Sequence, residues 1–158
     1  MKDHSQEEVL DKQVVKPLQC DVYAYTEDGD ILFTHAWRRL GDPKRKTGKI
    51  IIGAGESAVP IQYHLHDKTT PKEHLAFLNP GSAAMWVDLN DCPTQAGDGG
   101  QISFEPGSNG NILRISDANT GSPCTLHYML RFASGQDGAG PVYEYDPEIR
   151  NGGGGSIL

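Results

Sequence analysis

Basic residues, cysteines and long apolar runs are all scarce in this chain of 158 residues, and each scarcity removes a class of function. Only 14 lysines and arginines stand against 21 aspartates and glutamates, a net charge of −7. A surface of that sign repels nucleic-acid phosphates and anionic lipids except where a patch is locally basic. The cysteines, Cys20, Cys92 and Cys124, are odd in number and show no Cys-x-x-Cys spacing. They argue for reduced thiols and a cytoplasmic setting rather than a disulfide scaffold. No apolar run approaches the roughly 20 residues of a membrane helix. The opening MKDHSQEEVL is too charged for the apolar stretch of a secretion signal. A soluble chain with no membrane partner is expected. No Gly-x-Ser-x-Gly elbow occurs either, so nucleophilic catalysis has no support.

What the chain has in excess is glycine and proline, 19 and 10 residues, which imply many connections and few long helices. Its length still allows roughly 70% of the unfolded surface to be buried, enough for one core. Aromatic and β-branched runs, DVYAY and ILFTHAW, flank a Glu-Asp-Gly-Asp turn and predict a β-hairpin over Asp21 to Arg38. In VPIQYHL, Val59, Ile61, Tyr63 and Leu65 alternate with polar neighbours. In CTLHYMLRF, Cys124, Leu126, Tyr128, Leu130 and Phe132 share one face, a period of two that marks a strand with one buried side. Further strand candidates recur every eight to twelve residues or so, separated by turn residues such as Asn79-Pro80-Gly81.

The expected fold is all-β: a single Greek-key-like β-sandwich of about eight to ten strands with long Gly/Pro-rich loops. It should span residues 17–150, after a polar N-terminal extension (1–16) and before a flexible Gly-rich tail (151–158). Most of the core is expected from Tyr23, Tyr25, Phe33, Trp37, Ile51, Ile61, Tyr63, Phe77, Trp86, Phe104, Ile115, Leu126, Tyr128 and Leu130.

Several constellations could carry chemistry. Gly53-Ala-Gly55-Glu-Ser-Ala58 resembles a dinucleotide fingerprint, which needs a helix to start at its glycines. Pro60 and a strand-like alternation follow instead, so a turn is expected. His64 and His66 form His-x-His, whose period of two puts both imidazoles on one strand face. With His127, and Glu73 or His74 as completions, they could hold a metal. That pattern resembles the cupins, although Ala58 stands where the cupin motif has glycine. The plainer expectation is a solvent-facing pair. Cys124, His127 and Met129 are blue-copper ligand types, but the first two fall on opposite strand faces. Six of the basic residues, Arg38, Arg39, Lys44, Arg45, Lys46 and Lys49, crowd into one loop that could grip an anion. Only Trp37 is interleaved with them, so base stacking has little to work with and nucleic acid is disfavoured. The tail offers Gly152, Gly153, Gly154 and Gly155 as a flexible lead to the apolar Ile157 and Leu158, which could dock into a partner's groove.

The ending PVYEYDPEIR, with Tyr143, Tyr145, Asp146, Pro147 and Ile149, resembles the close of the PixA/AidA inclusion-body proteins. Those are small bacterial β-sandwiches whose last aromatic strand runs into Asp-Pro-x-Ile. The resemblance implies a bacterial sandwich rather than an activity. Nothing in the chain assembles into a reaction mechanism. The expected function is a non-enzymatic binding or protein-interaction module that needs no cofactor. A cupin-like metal-dependent enzyme at His64, His66 and His127 is the first alternative. An anionic-ligand or nucleic-acid binder through residues 38–49 is the second.

Overall fold

The computed structural model describes residues 16–56, 58–88 and 101–154. Of the described residues strand accounts for 52% and helix for 3%, far below the helix share of an average globular protein. The expected hairpin is β1 (Leu18–Glu27) and β2 (Asp30–Arg39). They are joined by Asp28 and Gly29, both left-handed at φ 51° and 83°. That is the two-residue turn whose twist matches paired strands, and Asp-Gly is among the pairs best suited to it. Then follow β3 (Ile50–Ile52), β4 (Val59–Lys68), β5 (Ala76–Phe77), a helical turn at Gly81–Ala84, and β6 (Met85–Asp88). The chain closes on β7 (Ile102–Phe104), β8 (Ile112–Asp117), β9 (Cys124–Ala133), β10 (Tyr143–Tyr145) and β11 (Glu148–Asn151).

These strands form two sheets. The first runs β2-β1-β4-β8-β7; in the second β9 is central, with β5 and β6 along one side, β10 and β11 along the other, and β3 beyond β11. Both are mixed, because β1 lies parallel to β4 and β11 parallel to β3. Tyr145 faces Leu130 and Glu148 faces His127 in one unbroken register. β10 and β11 are therefore one line along β9, interrupted at Asp146-Pro147, where proline has no N–H for the ladder.

The core lies between the sheets. From the first come Leu18, Cys20, Val22 and Ala24 on β1, Val59, Ile61, Tyr63 and Leu65 on β4, and Leu113 and Ile115 on β8. From the second come Leu126, Tyr128, Leu130 and Phe132 on β9, Ile50 and Ile52 on β3, and Ile149 on β11. Polar contacts cross the gap as well. The phenol of Tyr63 donates to that of Tyr128 at 2.9 Å, and both residues are fully buried. Phe33 stacks on Phe132 with ring centroids 5.0 Å apart.

Several expected core residues sit elsewhere. Ile51 is 55% exposed and Phe104 38% exposed, while Tyr23, Tyr25 and Trp86 are half-buried. Three consecutive isoleucines carry no parity signal. The register of β3 against β11 pairs Ile51 with outward-facing Arg150 and sends Ile50 and Ile52 inward. On β1 the odd positions also carry Gln19 and Asp21, whose burial in the core would leave polar groups without water. The even positions therefore face inward, and the tyrosines face out.

Residues 151–154, expected as the start of a flexible tail, are part of the fold. Asn151 closes β11 and is buried, its Nδ2 donating to Asp117 Oδ1 at 2.9 Å. Gly152 N donates to Ile52 O, Gly153 N to Asn119 Oδ1, and Gly154 N to Gly121 O. A Cβ on Gly152 would lie 2.5 Å from Ala54 N, and one on Gly153 2.5 Å from Gly121 O. These glycines serve close approach rather than freedom. Residues 155–158, with Gly155, Ile157 and Leu158, lie outside the described residues, as does Cys92.

Candidate functional site

Because side chains alternate along a strand, the residues excluded from the core of β1 and β4 line up on the outer face of the first sheet. β1 supplies Gln19, Asp21 and Tyr23; β4, in parallel register beside it, supplies Gln62, His64 and His66. Arg114 of β8 lies opposite Gln62. A loop from β2 then folds over this face, anchored by a bridge in which Trp37 and Lys46 exchange backbone hydrogen bonds. His35 fixes the same loop. It donates Nε2–H to Gly48 O at 2.6 Å and accepts from Tyr145 O–H at 2.5 Å.

At the centre is Asp21, only 2% exposed although it points away from the core. His66 donates Nε2–H to its Oδ1 at 2.9 Å, Gln19 Nε2 donates at 3.2 Å, and Arg45 Nη1 lies 3.2 Å from Oδ2. Burial alone would push this carboxyl up. The hydrogen bonds from His66 and Gln19 and the charge of Arg45 outweigh it and hold the carboxyl below its ordinary value. Arg45 also donates to the Tyr23 hydroxyl at 2.7 Å. Tyr23 in turn stacks on His66, centroids 4.8 Å apart and planes 18° from parallel. His64 donates to Gln62 Oε1 at 3.3 Å. Its imidazole is held below its ordinary value by burial and by the charges of His66 and Arg114, against the pull of Asp21.

His64 and His66 thus share a face, as their spacing predicts. His66 is more than a solvent-facing residue, since it covers a buried carboxylate. His127 lies on β9, on the outer face of the opposite sheet, with Nδ1 3.1 Å from Glu148 Oε2. The structure does not bring the three histidines together. Glu73 and His74 fall in the loop after β4, where Glu73 N donates to Thr69 Oγ1. Among the described residues no group of three or more His, Cys, Asp or Glu side chains forms a metal-binding cluster. Cys20 is buried and Cys124 half-buried, and both are free thiols.

The basic loop is largely occupied by partners within the chain. Arg38 donates to Asp42 O, Arg39 pairs with Glu56 at 2.5 Å, and Lys46 lies 5.1 Å from the centroid of the Trp37 ring. Lys49 sits 3.9 Å from Glu148, and Lys44 donates its backbone N–H to Asp42 Oδ1. Arg45 on Asp21, Arg39 on Glu56 and Lys49 on Glu148 tie the loop to three separate carboxylates elsewhere in the fold.

Asp21 and Tyr23 escape a search by motif, because their partners His66 and Arg45 come from β4 and from the loop after β2. The available signal was parity: two polar residues at alternate positions of an otherwise apolar strand. Among the described residues no helix is long and apolar enough to cross a membrane. No protein-family model and no curated protein matches the chain.

Proposed function

We propose that the protein is a non-enzymatic binding module of the bacterial cytosol that engages a protein partner through the outer face of its first sheet. The observation that carries this reading is Asp21. Its buried carboxylate holds His66, Arg45 and Gln19 in fixed positions beneath Tyr23. Side chains ordered before a partner arrives lose little entropy on binding. They offer tyrosine and arginine, residue types enriched at interface hot spots, on a rigid strand platform. Arg45, Arg114 and Lys68 on this face favour a partner segment with acidic residues. The resemblance of Tyr143 to Ile149 to the PixA/AidA close supports a bacterial sandwich and leaves the partner open.

The test is affinity capture from the native host with wild type, Tyr23→Ala, Arg45→Ala and, on the opposite face, Trp86→Ala, each checked for folding by circular dichroism. Wild type and Trp86→Ala should retain the same protein, and Tyr23→Ala and Arg45→Ala should lose it. Retention by both folded first-sheet variants would overturn the assignment, as would a metal copurifying in stoichiometric amount and lost on His64→Ala.

A further inference from the structure

Asn-Gly occurs twice in the chain, at Asn109-Gly110 and Asn151-Gly152, and the fold places the two pairs in opposite environments. We propose that Asn109 is a self-modifying residue. It closes on Gly110 to a succinimide and opens to aspartate or isoaspartate, while Asn151 is held inert. In this reaction a base removes the Gly110 N–H proton and the nitrogen attacks Asn109 Cγ. The Oδ1 oxygen takes up negative charge in the tetrahedral intermediate. The Cγ–Nδ2 bond then breaks, and Nδ2 leaves as ammonia after protonation. Water adds to either carbonyl of the ring, so that one water is consumed for each ammonia released. Glycine is the residue that allows the approach, because it has no Cβ to block it.

Exposure and hydrogen bonding both favour the closure at Asn109. The residue is exposed, in the turn entering β8. Its Oδ1 accepts from two backbone N–H groups, Asn111 at 2.8 Å and Ile112 at 2.9 Å. Two donors on the oxygen that becomes the oxyanion are the arrangement that lowers such a barrier. Gly110 holds still from the other side, its carbonyl accepting from Phe77 N at 2.9 Å. Among the described residues neither Gly110 N nor Asn109 Nδ2 has a hydrogen-bond partner to give up.

At Asn151 the exposure, the donors on Oδ1 and the free glycine N–H and side-chain amide are all reversed. The residue is fully buried, and Gly152 N is already donating to Ile52 O at 2.9 Å. Nδ2, the leaving group, donates to Asp117. Oδ1 is buried without a hydrogen-bond donor, so charge developing there would go unstabilised. Modification at Asn109 has a place to be felt. The same turn holds Arg114 of the outer face, through Ser108 Oγ on its N–H at 2.9 Å and Gly107 O on its Nε at 3.3 Å.

The test is peptide mapping of the full chain aged in mildly alkaline buffer, folded and denatured, scoring the gain of one dalton and the isoaspartate isomer at each asparagine. In the folded protein Asn109 should convert at least about tenfold faster than Asn151, ~1.4 kcal/mol in barrier. It should also convert faster than Asn109 in the denatured chain, where the two sites should be similar. Asn109→Gln should abolish the folded-state mass gain. Slower conversion of Asn109 in the folded than in the denatured chain would overturn the proposal. So would a mass gain that persists undiminished in Asn109→Gln.

Discussion

Replacing Gly153 by alanine tests whether the glycine segment is a tail or a part of the fold. Gly153 has φ +77°, and alanine in that left-handed region costs roughly 1–2 kcal/mol. The new Cβ would lie 2.5 Å from Gly121 O and 2.8 Å from Pro123 N, both backbone atoms of the turn before β9. The segment must move away. It then gives up the bond from Gly153 N to Asn119 Oδ1 at 2.8 Å and that from Gly55 N to Gly153 O at 3.0 Å. Each is worth about 1 kcal/mol net. The sum is about 3–4 kcal/mol, which for a chain of this size lowers Tm by about 6–16 °C. Gly154 is the control. It is also left-handed, at φ +72°, but its Cβ would meet nothing nearer than 4.0 Å. Gly154→Ala should therefore cost only the backbone term, about 1–2 kcal/mol. Calorimetric or circular-dichroism melts of the two variants measure the difference. Equal Tm values would refute the reasoning, because a frayed segment has no contacts to lose.

Two further outcomes follow from buried polar groups. Tyr63→Phe should cost about 1–2 kcal/mol, because the fully buried Tyr128 hydroxyl then loses its donor. The double variant Tyr63→Phe/Tyr128→Phe should cost clearly less than the two single changes added together, and additive urea midpoints would show that the phenols do not interact. Asp21 should govern part of the acid limb. Its folded carboxyl lies below the unfolded value, so its stabilisation is complete above the ordinary carboxylate range and is lost as pH falls through the folded value. Asp21→Asn should flatten stability against pH on that acid side, and an unchanged slope would remove Asp21 from the account.

Much of the fold was legible in local pattern. The Asp28-Gly29 hairpin, the alternation of β4 and the long period-two run of β9 all rest on neighbours within one strand or turn, where sterics and burial act over a few residues. The outer-face site was only half legible. His64 and His66 announce a shared face by spacing alone, but Asp21 acquires its meaning from the parallel pairing of β1 with β4, which sets it beside them. Ile51 shows the limit of periodicity, since three identical residues fit either face.

The amino-acid sequence by itself determined the long strands, the hairpin turn and the all-β class, because those depend on short-range steric preference and on which alternate positions are apolar. Only the tertiary structure decided what the charged loop and the glycines do. Arg39, Arg45 and Lys49 are cations that any anion could have claimed. Partners distant in the chain (Glu56, Asp21 and Glu148) claim them because the fold brings opposite charges together. Consecutive glycines maximise chain freedom when nothing surrounds them. At Gly152 and Gly153 the backbones of residues 53–54 and 121–123 come so close that only a residue without a side chain can pass. The same atoms that make glycine flexible in isolation make it, in this core, the residue that fits.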